Sequence, residues 1–300
     1  MAPFSNGLRL ACTALLVGRR KVIVQLHFGW ISATAYSDSK PKWLERSIVN
    51  RLYTDLLIKI IANTIYSSGS QVIDPSKVGE STPFNREDRL LGRDWPTIAH
   101  SMAGVKRLTN VRDLVQRAIN ENVPGDFIET GVWRGGCSIL MRGVLAANEV
   151  KDRKVYVADS FDGLPPPDAE NFPADQGDRL HEYRQLAIDQ AQVESNFAAY
   201  DLLDDQVIFV KGLFGDTLPD LKAGPFALIR LDGDMYESTM DSLEALYPRL
   251  SPGGFAIIDD LAHLPCLQAV EDYRARNRIK AKIHEIDWTG GWWQKPIAHS

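Results

Sequence analysis

Strands alternate with helices through the second half of the chain, and this pattern limits the fold more than any other feature. The strand-like runs are FIET, VYVAD, VIFVK, FALIRL and FAIIDD, and helical segments separate most of them. Parallel strands cannot be joined by a tight turn and need a crossover connection of about a dozen residues or more, which is usually a helix. The alternation therefore predicts an α/β fold, a parallel sheet with helices on both faces. AKIHEID and WWQKP, joined across WTGG, predict a closing hairpin that adds an antiparallel strand.

Composition narrows the classes of function. The 300-residue chain is 44% hydrophobic and has a formal net charge of −5, whereas a nucleic-acid binder would usually present a basic face. Its cysteines, Cys12, Cys137 and Cys266, lie far apart and form no CxxC pair, which argues against a disulfide framework or a zinc site and fits the reducing cytoplasm. No apolar run reaches membrane-spanning length. We therefore expect a cytoplasmic protein with no nucleic-acid or membrane partner.

Three regions of the chain differ in composition. Residues 1–45 have no acidic residue before Asp38, and the basic run RRK at 19–21 interrupts the apolar stretch that a signal peptide would need. They are expected to be a poorly ordered N-terminal extension, with a targeting segment as the alternative. Residues 46–122 are predicted to be helical around a long loop rich in Gly, Pro, Ser and charge. Residues 123–300 hold the alternating elements and are predicted to form the main domain.

The sequence FIETGVWRGG lies at the carboxyl end of the first predicted strand, where open α/β sheets bind ligands. Its glycine spacing, G-x-x-x-G-G, is neither the dinucleotide fingerprint nor a P-loop. Glu129 would repel a pyrophosphate but suits an ammonium or sulfonium group, and Asp159, at the end of the next strand, suits a ribose diol. Together these features predict S-adenosylmethionine. Each glycine or acid alone could equally be a tight turn or a helix cap.

Four aspartates follow the fourth and fifth predicted strands, in RLDGD and IIDD. Neighbouring strands would bring Asp232, Asp259 and Asp260 to the same edge as the cofactor, and carboxylates are the hard oxygen ligands that Mg²⁺ prefers. The ion would also offset the repulsion between Asp259 and Asp260. The alternative is that these aspartates cap helices or face water. Asp234 is assigned as the general base.

Longer stretches of the chain resemble the macrocin O-methyltransferase family, whose members methylate sugar hydroxyls on antibiotics such as macrolides and aminocoumarins. The stretches are DWPTIAHSMAGVKRL, VPGDFIETGVWRGG, VYVADSFDGLP, LLDDQVIFVKGLFGDTLP, RLDGDMYESTMDSL and YPRLSPGGFAIIDD. The similarity runs from about Leu52 to Pro296. More distantly, the plan resembles the magnesium-dependent catechol O-methyltransferases. The resemblance implies a Rossmann-like class I methyltransferase fold, with a mostly parallel seven-stranded sheet, an antiparallel last strand and an N-terminal helical lid at 46–122.

The resemblance also implies the residues of the site. Asp232, Asp259 and Asp260 would bind Mg²⁺, with Asp234 as the base. The lid would cover the substrate, and its candidate contacts are Glu87, Arg89 and His100. The residues expected to bind S-adenosylmethionine, with Leu213 and Phe214 near the adenine, are Glu129, Thr130, Gly131, Arg134, Gly135, Asp159, Ser160, Gly212, Leu213, Phe214 and Asp232.

The expected activity is Mg²⁺-dependent methyl transfer to a hydroxyl of a small glycosylated acceptor, whose pocket the insertion around HEYRQL would border. Two alternatives remain open: a catechol or phenol O-methyltransferase, and a non-catalytic module that binds S-adenosylmethionine. A dehydrogenase is disfavoured because the dinucleotide fingerprint is missing. The resemblance implies a homo-oligomer such as a dimer, with the helix at Leu52–Tyr66 packing across the interface or onto its own sheet. Trp288, Trp292 and Trp293 are interpreted as edge-strand packing rather than a sugar platform.

Overall fold

The computed structural model describes residues 42–297 and two short strands before them, β1 (Gln25–Leu26) and β2 (Gly29–Trp30), with side chains described from residue 48. The chain divides into two compact units, Met1–Ser47 and Ile48–Ser300. In the first unit β1 and β2 pair antiparallel. The predicted N-terminal extension at 1–45 otherwise lies almost entirely outside the described residues.

Besides four short 3₁₀ helices, the rest of the described chain has eight α-helices and ten further strands. The helices are α1 (Lys42–Ile61), α2 (Arg86–Leu91), α3 (Gly104–Asn120), α4 (Gly136–Ala147), α5 (Gln190–Ala199), α6 (Phe214–Thr217), α7 (Tyr236–Leu246) and α8 (Leu264–Arg276). The strands are β3 (Ser70–Gln71), β4 (Ser81–Thr82), β5 (Trp95–Pro96), β6 (Asp126–Thr130), β7 (Val155–Asp159), β8 (Val207–Lys211), β9 (Phe226–Leu231), β10 (Leu250–Ile258), β11 (His284–Glu285) and β12 (Gly291–Gln294). Within these residues no helix combines the length and the apolar character needed to cross a membrane.

Seven strands form the main sheet, in the order β11-β12-β10-β9-β6-β7-β8. Strands β6 to β10 pair parallel, and β12 pairs antiparallel with both β10 and β11. The predicted mostly parallel seven-stranded sheet with an antiparallel last strand is therefore confirmed. Strand β6 lies between β7 and β9. The chain adds β7 and β8 on one side of β6, and then crosses over to add β9 and β10 on its other side. Ligands bind at such a switch point, beyond the carboxyl ends of the strands.

The core lies on both faces of this sheet, because successive side chains of a strand point to opposite faces. Phe127 and Leu228 pack on the face covered by α3 and α4, while Ile128 and Ile229 pack on the face covered by α7 and α8. These strands are buried on both faces and so read as continuous apolar runs. A charged residue inside such a run needs a partner, and β9 contains one, Arg230.

The segment between α1 and α3 is more ordered than the long loop that its composition predicts. It contains a three-stranded antiparallel sheet, β4-β3-β5, and the helix α2. The Arg89 side chain of α2 is fully buried and donates to Asp94 at 2.8 Å and to the carbonyls of Ala62 and Ser68 at 3.0 and 3.1 Å. Two-residue strands are too short to show a sequence period, so the alternation of apolar and polar residues could not predict this small sheet or the contacts of Arg89.

Candidate active site

Three carboxylates meet beyond the carboxyl ends of β9 and β10. Asp232 directly follows β9, whereas Asp259 and Asp260 follow β10, and the two strands pair in register up to Leu231 and Ile258. One carboxylate oxygen from each aspartate lies within 4.8 Å of the other two. Asp259 is buried, and the other two are partly buried. The structure thus brings together the three residues that the sequence predicts as metal ligands.

Two buried arginines offset the repulsion in this cluster. Both oxygens of Asp259 are paired: Oδ1 accepts from Arg230 Nη2 and Oδ2 accepts from Arg107 Nη1. Arg107 comes from α3, and its Nε also donates to Asp287 at 3.1 Å. Buried charges are tolerated when they are paired in this way. Sequence reasoning missed both arginines, although an arginine inside the apolar run FALIRL was a signal for Arg230.

Arg230 also connects the acid cluster to the first strand of the sheet. Its Nη1 lies 2.7 Å from Glu129 Oε1 and 2.8 Å from Asp232 Oδ2. The second oxygen of Glu129 accepts from Ser138 Oγ. Burial raises the pKa of Glu129 to about 7, against the opposing effect of the Arg230 guanidinium. The Glu129 side chain is therefore held inside the protein, beneath the turn that begins at Gly131.

Asp234 occupies a constrained turn beside the cluster. Its φ is +57°, a left-handed conformation that non-glycine residues adopt at some cost. Its backbone N–H donates to Asp260 Oδ2 at 3.3 Å. Burial and then the neighbouring carboxylates Asp232, Asp259 and Asp178 raise the pKa of Asp234 to about 8. A carboxyl group whose pKa lies near neutral pH is suited to proton transfer.

A first cavity of about 130 Å³ lies over the carboxyl ends of β6, β7, β8 and β9. Seven of the residues predicted to bind the methyl donor line it: Gly131, Asp159, Ser160, Gly212, Leu213, Phe214 and Asp232. Glycine is required at 131, since its φ is +79° and a Cβ there would lie 1.7 Å from the Asp232 carbonyl oxygen. Among the described residues, the lining that sequence reasoning missed includes Trp133, Leu164, Pro165, Glu237, Ser238 and Asp241. The last three begin α7, which follows β9 at the ligand edge, and that placement was the available signal.

The other four predicted residues do not line this cavity. Glu129 faces Arg230, and Thr130 is buried against Ser242. Arg134 Nη1 donates to the carbonyls of Pro96 and Ala99, so it ties the turn after β6 to the segment before α3. Gly135 precedes α4 with a left-handed φ of +84°.

Asp159 organises the floor of the first cavity. Its carboxylate accepts from the backbone N–H of Val132 at 2.7 Å and of Phe161 at 2.8 Å. Burial raises the pKa of Asp159, and these backbone hydrogen bonds lower it. The carboxylate therefore joins the turn after β6 to the turn after β7.

A second cavity, of about 300 Å³, lies on the other side of the acid cluster. Asp232, Asp234, Asp259 and Asp260 line one wall of it. The remaining lining is mainly apolar, with the basic side chains of Arg107 and His263, and includes Trp95, Met102, Leu180, Leu186 and Trp288. Leu180 and Leu186 come from the insertion around HEYRQL, which the sequence predicted to border an acceptor pocket. The two cavities share Met102, Leu186, Asp232 and Asp234, so they meet beside the acids.

The residues that the sequence suggested as substrate contacts, Glu87, Arg89 and His100, lie outside both cavities. Arg89 is buried with Asp94, and His100 Nδ1 lies 2.8 Å from the Tyr200 hydroxyl. Trp293 is fully buried, as expected of edge-strand packing. Trp288 differs, because it lies outside the strand and is half exposed in the second cavity.

Comparisons with known proteins show the family of this chain. The sequence model of the family described as macrocin O-methyltransferase (TylF) matches residues 50–295. The chain is 51% identical, over 82% of its length and 94% of the relative, to 8-demethyl-8-(2,3-dimethoxy-alpha-L-rhamnosyl)-tetracenomycin-C 4'-O-methyltransferase of Streptomyces olivaceus. It is 46% identical, over 81% of its length and 93% of the relative, to demethyldecarbamoylnovobiocin O-methyltransferase of Streptomyces niveus. Among solved structures, the O-methyltransferase NovP superposes with a TM-score of 0.78 at 45% identity, over 82% of this chain and 99% of that one.

Proposed function

This chain belongs to the macrocin O-methyltransferase family, and we propose that it transfers the methyl group of S-adenosylmethionine to a sugar hydroxyl of a glycosylated natural product. The observation that carries the proposal is the meeting of two cavities at Asp232 and Asp234. A methyl donor in one cavity and an acceptor in the other would come together beside these two acids. The printed names of the relatives, which describe methylation of a rhamnosylated tetracenomycin and of a novobiocin precursor, support a sugar acceptor.

The first cavity is suited to S-adenosylmethionine. The absence of a side chain at Gly131 lets a ligand lie against the backbone, and Asp159 offers carboxylate oxygens to a ribose diol. Leu213 and Phe214 supply apolar surface for an adenine.

The three clustered aspartates have the donor chemistry of a magnesium site. We assign Asp232, Asp259 and Asp260 as the residues that would hold Mg²⁺, because three carboxylate oxygens within 4.8 Å of one another form a hard ligand set. The three carboxylates of this cluster are paired with only two guanidiniums, those of Arg230 and Arg107. The remaining negative charge favours a divalent cation. When bound, the ion would lower the pKa of an acceptor hydroxyl and fix its oxygen.

Asp234 is proposed to accept the proton of that hydroxyl. In the methyl transfer, the acceptor oxygen forms a bond to the methyl carbon, the sulfur–methyl bond breaks, and S-adenosylhomocysteine leaves with a neutral sulfur. The proton moves to the Asp234 carboxylate, whose raised pKa matches the task. The aspartates that line the second cavity would orient the acceptor hydroxyl. The segment before α3, which contributes Trp95 and Met102 to the second cavity, would help to exclude water, as proposed for the lid at 46–122.

Methylation assays test the proposal. The purified chain would receive S-adenosylmethionine with 8-demethyl-8-(2,3-dimethoxy-α-L-rhamnosyl)-tetracenomycin C, demethyldecarbamoylnovobiocin or catechol, in Mg²⁺ or in EDTA. We expect methylation of a glycosylated acceptor that stops in EDTA and returns with Mg²⁺. Turnover of catechol alone would instead support a phenol methyltransferase. Binding of S-adenosylhomocysteine in calorimetry without turnover of any acceptor would support a non-catalytic module. Full activity in EDTA would remove the metal from the proposal.

A further inference from the structure

His263 lies in the second cavity, close to the acid cluster but outside it. It caps the N-terminus of α8, and its backbone N–H donates to the Asp260 carbonyl at 2.9 Å. Its side chain is 36% exposed and lines the cavity together with Asp234 and Asp260. The imidazole is therefore in the wall of the cavity that contains the acids.

The carboxylate of Asp178 contacts the His263 imidazole. The Asp178 side chain is only 5% exposed, and its Oδ2 lies 3.2 Å from His263 Nε2. Its other oxygen, Oδ1, accepts from the backbone N–H of Leu180 at 2.8 Å. The carboxylate is thus fixed at both oxygens, and it limits the rotation of the His263 ring.

The segment that carries Asp178 is itself anchored beside Asp234. Asp175 is fully buried, and its carboxylate accepts from the backbone N–H groups of Tyr236 and Glu237 at 2.6 and 3.0 Å, at the start of α7. The Asp178 backbone N–H in turn donates to the Asp175 carbonyl at 3.0 Å. The insertion therefore links the helix that follows Asp234 to the helix that His263 caps, and this fixes the imidazole relative to the base.

This contact also determines the hydrogen-bonding character of the ring. A carboxylate only accepts hydrogen bonds, so the Nε2 that faces Asp178 carries the hydrogen, and Nδ1 of the neutral ring is an acceptor. Within residues 48–297 the imidazole makes no other hydrogen bond. A sugar carries several hydroxyls, and only one at a time can lie where the two cavities meet. A hydrogen-bond acceptor fixed in the wall of the second cavity can bind a second hydroxyl and so select the orientation of the sugar.

We propose that His263, oriented by Asp178, binds a second hydroxyl of the acceptor sugar and thereby determines which hydroxyl is methylated. This inference rests on the proposed function, because it assumes a polyhydroxylated acceptor in the second cavity. His263 is a specificity-determining residue that touches the substrate. Asp178 is a positioning residue that acts through His263.

The test compares His263→Ala, His263→Gln and Asp178→Asn with the wild type on demethyldecarbamoylnovobiocin, because the 2,3-dimethoxyrhamnosyl group of the other acceptor has only one free hydroxyl. For His263→Ala we expect an acceptor KM at least about tenfold higher, equivalent to ~1.4 kcal/mol of binding, with a smaller change in kcat. We also expect NMR of the product to show methylation spread over more than one hydroxyl. His263→Gln, which keeps a hydrogen-bonding group, should restore part of the selectivity. The affinity for S-adenosylhomocysteine should not change.

A double variant separates the two roles. If Asp178 acts only through His263, the Asp178→Asn/His263→Ala protein should be no worse than His263→Ala alone. Additive losses would overturn the positioning role. His284→Ala, an exposed histidine on β11, is the matched control and should behave as wild type. A wild-type KM and a single product in His263→Ala would overturn the proposal while leaving the proposed function intact. A wild-type protein that methylates neither acceptor would overturn both.

Discussion

Glu129 and Arg230 form a buried ion pair between register partners on the adjacent parallel strands β6 and β9, with Arg230 Nη1 2.7 Å from Glu129 Oε1. Both side chains are at most 2% exposed. The same guanidinium contacts Asp232 and Asp259. One strand residue thus connects the acid beneath the proposed donor site to two of the acids proposed to hold the metal.

Replacement of Arg230 should therefore destabilise the protein. Arg230→Met would leave the buried carboxylates of Glu129 and Asp259, and the partly buried one of Asp232, without their shared partner. Breaking a buried pair costs about 3–5 kcal/mol. Urea denaturation measures the loss. Arg230→Lys, with a single ammonium, should recover only part of it because it cannot reach all three acids. The matched control is Arg276→Met, which removes an exposed pair with Glu244 and should cost less than about 1 kcal/mol. Equal losses in the two methionine variants would contradict the role of Arg230.

Replacement of Asp234 by Asn should separate chemistry from binding. The amide has nearly the same shape but cannot accept the hydroxyl proton, so we expect kcat to fall by about 10²–10⁴-fold. Single-turnover methylation and calorimetry with S-adenosylhomocysteine would measure the two properties. Donor affinity should remain close to that of the wild type. Asp205→Asn, at an exposed aspartate far from the cavities, is the control. An active Asp234→Asn enzyme would show that another group takes the proton.

The sequence predicted the parts of this molecule that depend on local periodicity. Alternating strands and helices determine the parallel sheet, and parallel strands carry Asp232, Asp259 and Asp260 to one edge whatever the details of their packing. The contacts that complete the site could not be predicted in this way. Arg107 is 152 residues from Asp259 in sequence, and Asp178 is 85 residues from His263. No local pattern records such pairs, because tertiary packing alone brings them together.

The stability of the protein should fall in mild acid because of His100. Burial, and then the Arg134 guanidinium, lowers the pKa of His100 below its ordinary value of 6.5. The folded state thus keeps the ring neutral while the unfolded chain binds a proton, so stability is lost as the pH falls below 6.5. In His100→Gln this loss is absent. The difference in unfolding free energy from the wild type should therefore shrink from pH 8 to pH 5, by at most about 1.4 kcal/mol per pH unit.

Chemical denaturation at a series of pH values would measure this difference. The control is His181→Gln, which removes an exposed histidine and should give a curve parallel to that of the wild type. Parallel curves for His100→Gln and the wild type would contradict the assignment.

The exposed face of α1 supports the predicted homo-oligomer. Val49, Leu52, Leu56 and Ile60 follow one another at helical spacing and are 62, 65, 50 and 39% exposed. A contiguous apolar stripe of this kind often marks an interface. We expect the full chain to be a dimer in size-exclusion chromatography with light scattering, and we expect Leu52→Glu/Leu56→Glu to shift it to a monomer. Leu203→Glu, at an isolated exposed leucine, should leave the dimer intact. A monomeric wild type would contradict the prediction.

Trp288 should contribute to acceptor binding rather than to the stability of the sheet edge. Its indole is 49% exposed in the second cavity, yet its N–H donates to the Leu91 carbonyl at 2.8 Å and Arg93 lies over its ring. These contacts hold an exposed aromatic surface in one orientation, so little conformational freedom would be lost when an acceptor packs against it. Trp288→Ala should raise the acceptor KM about tenfold, equivalent to ~1.4 kcal/mol, with little change in kcat. Trp288→Phe keeps an aromatic face but loses the hydrogen bond, so its KM should lie between those of the alanine variant and the wild type. If the alanine variant binds the glycosylated acceptors as tightly as the wild type, the indole belongs to the packing of the protein and not to the acceptor site.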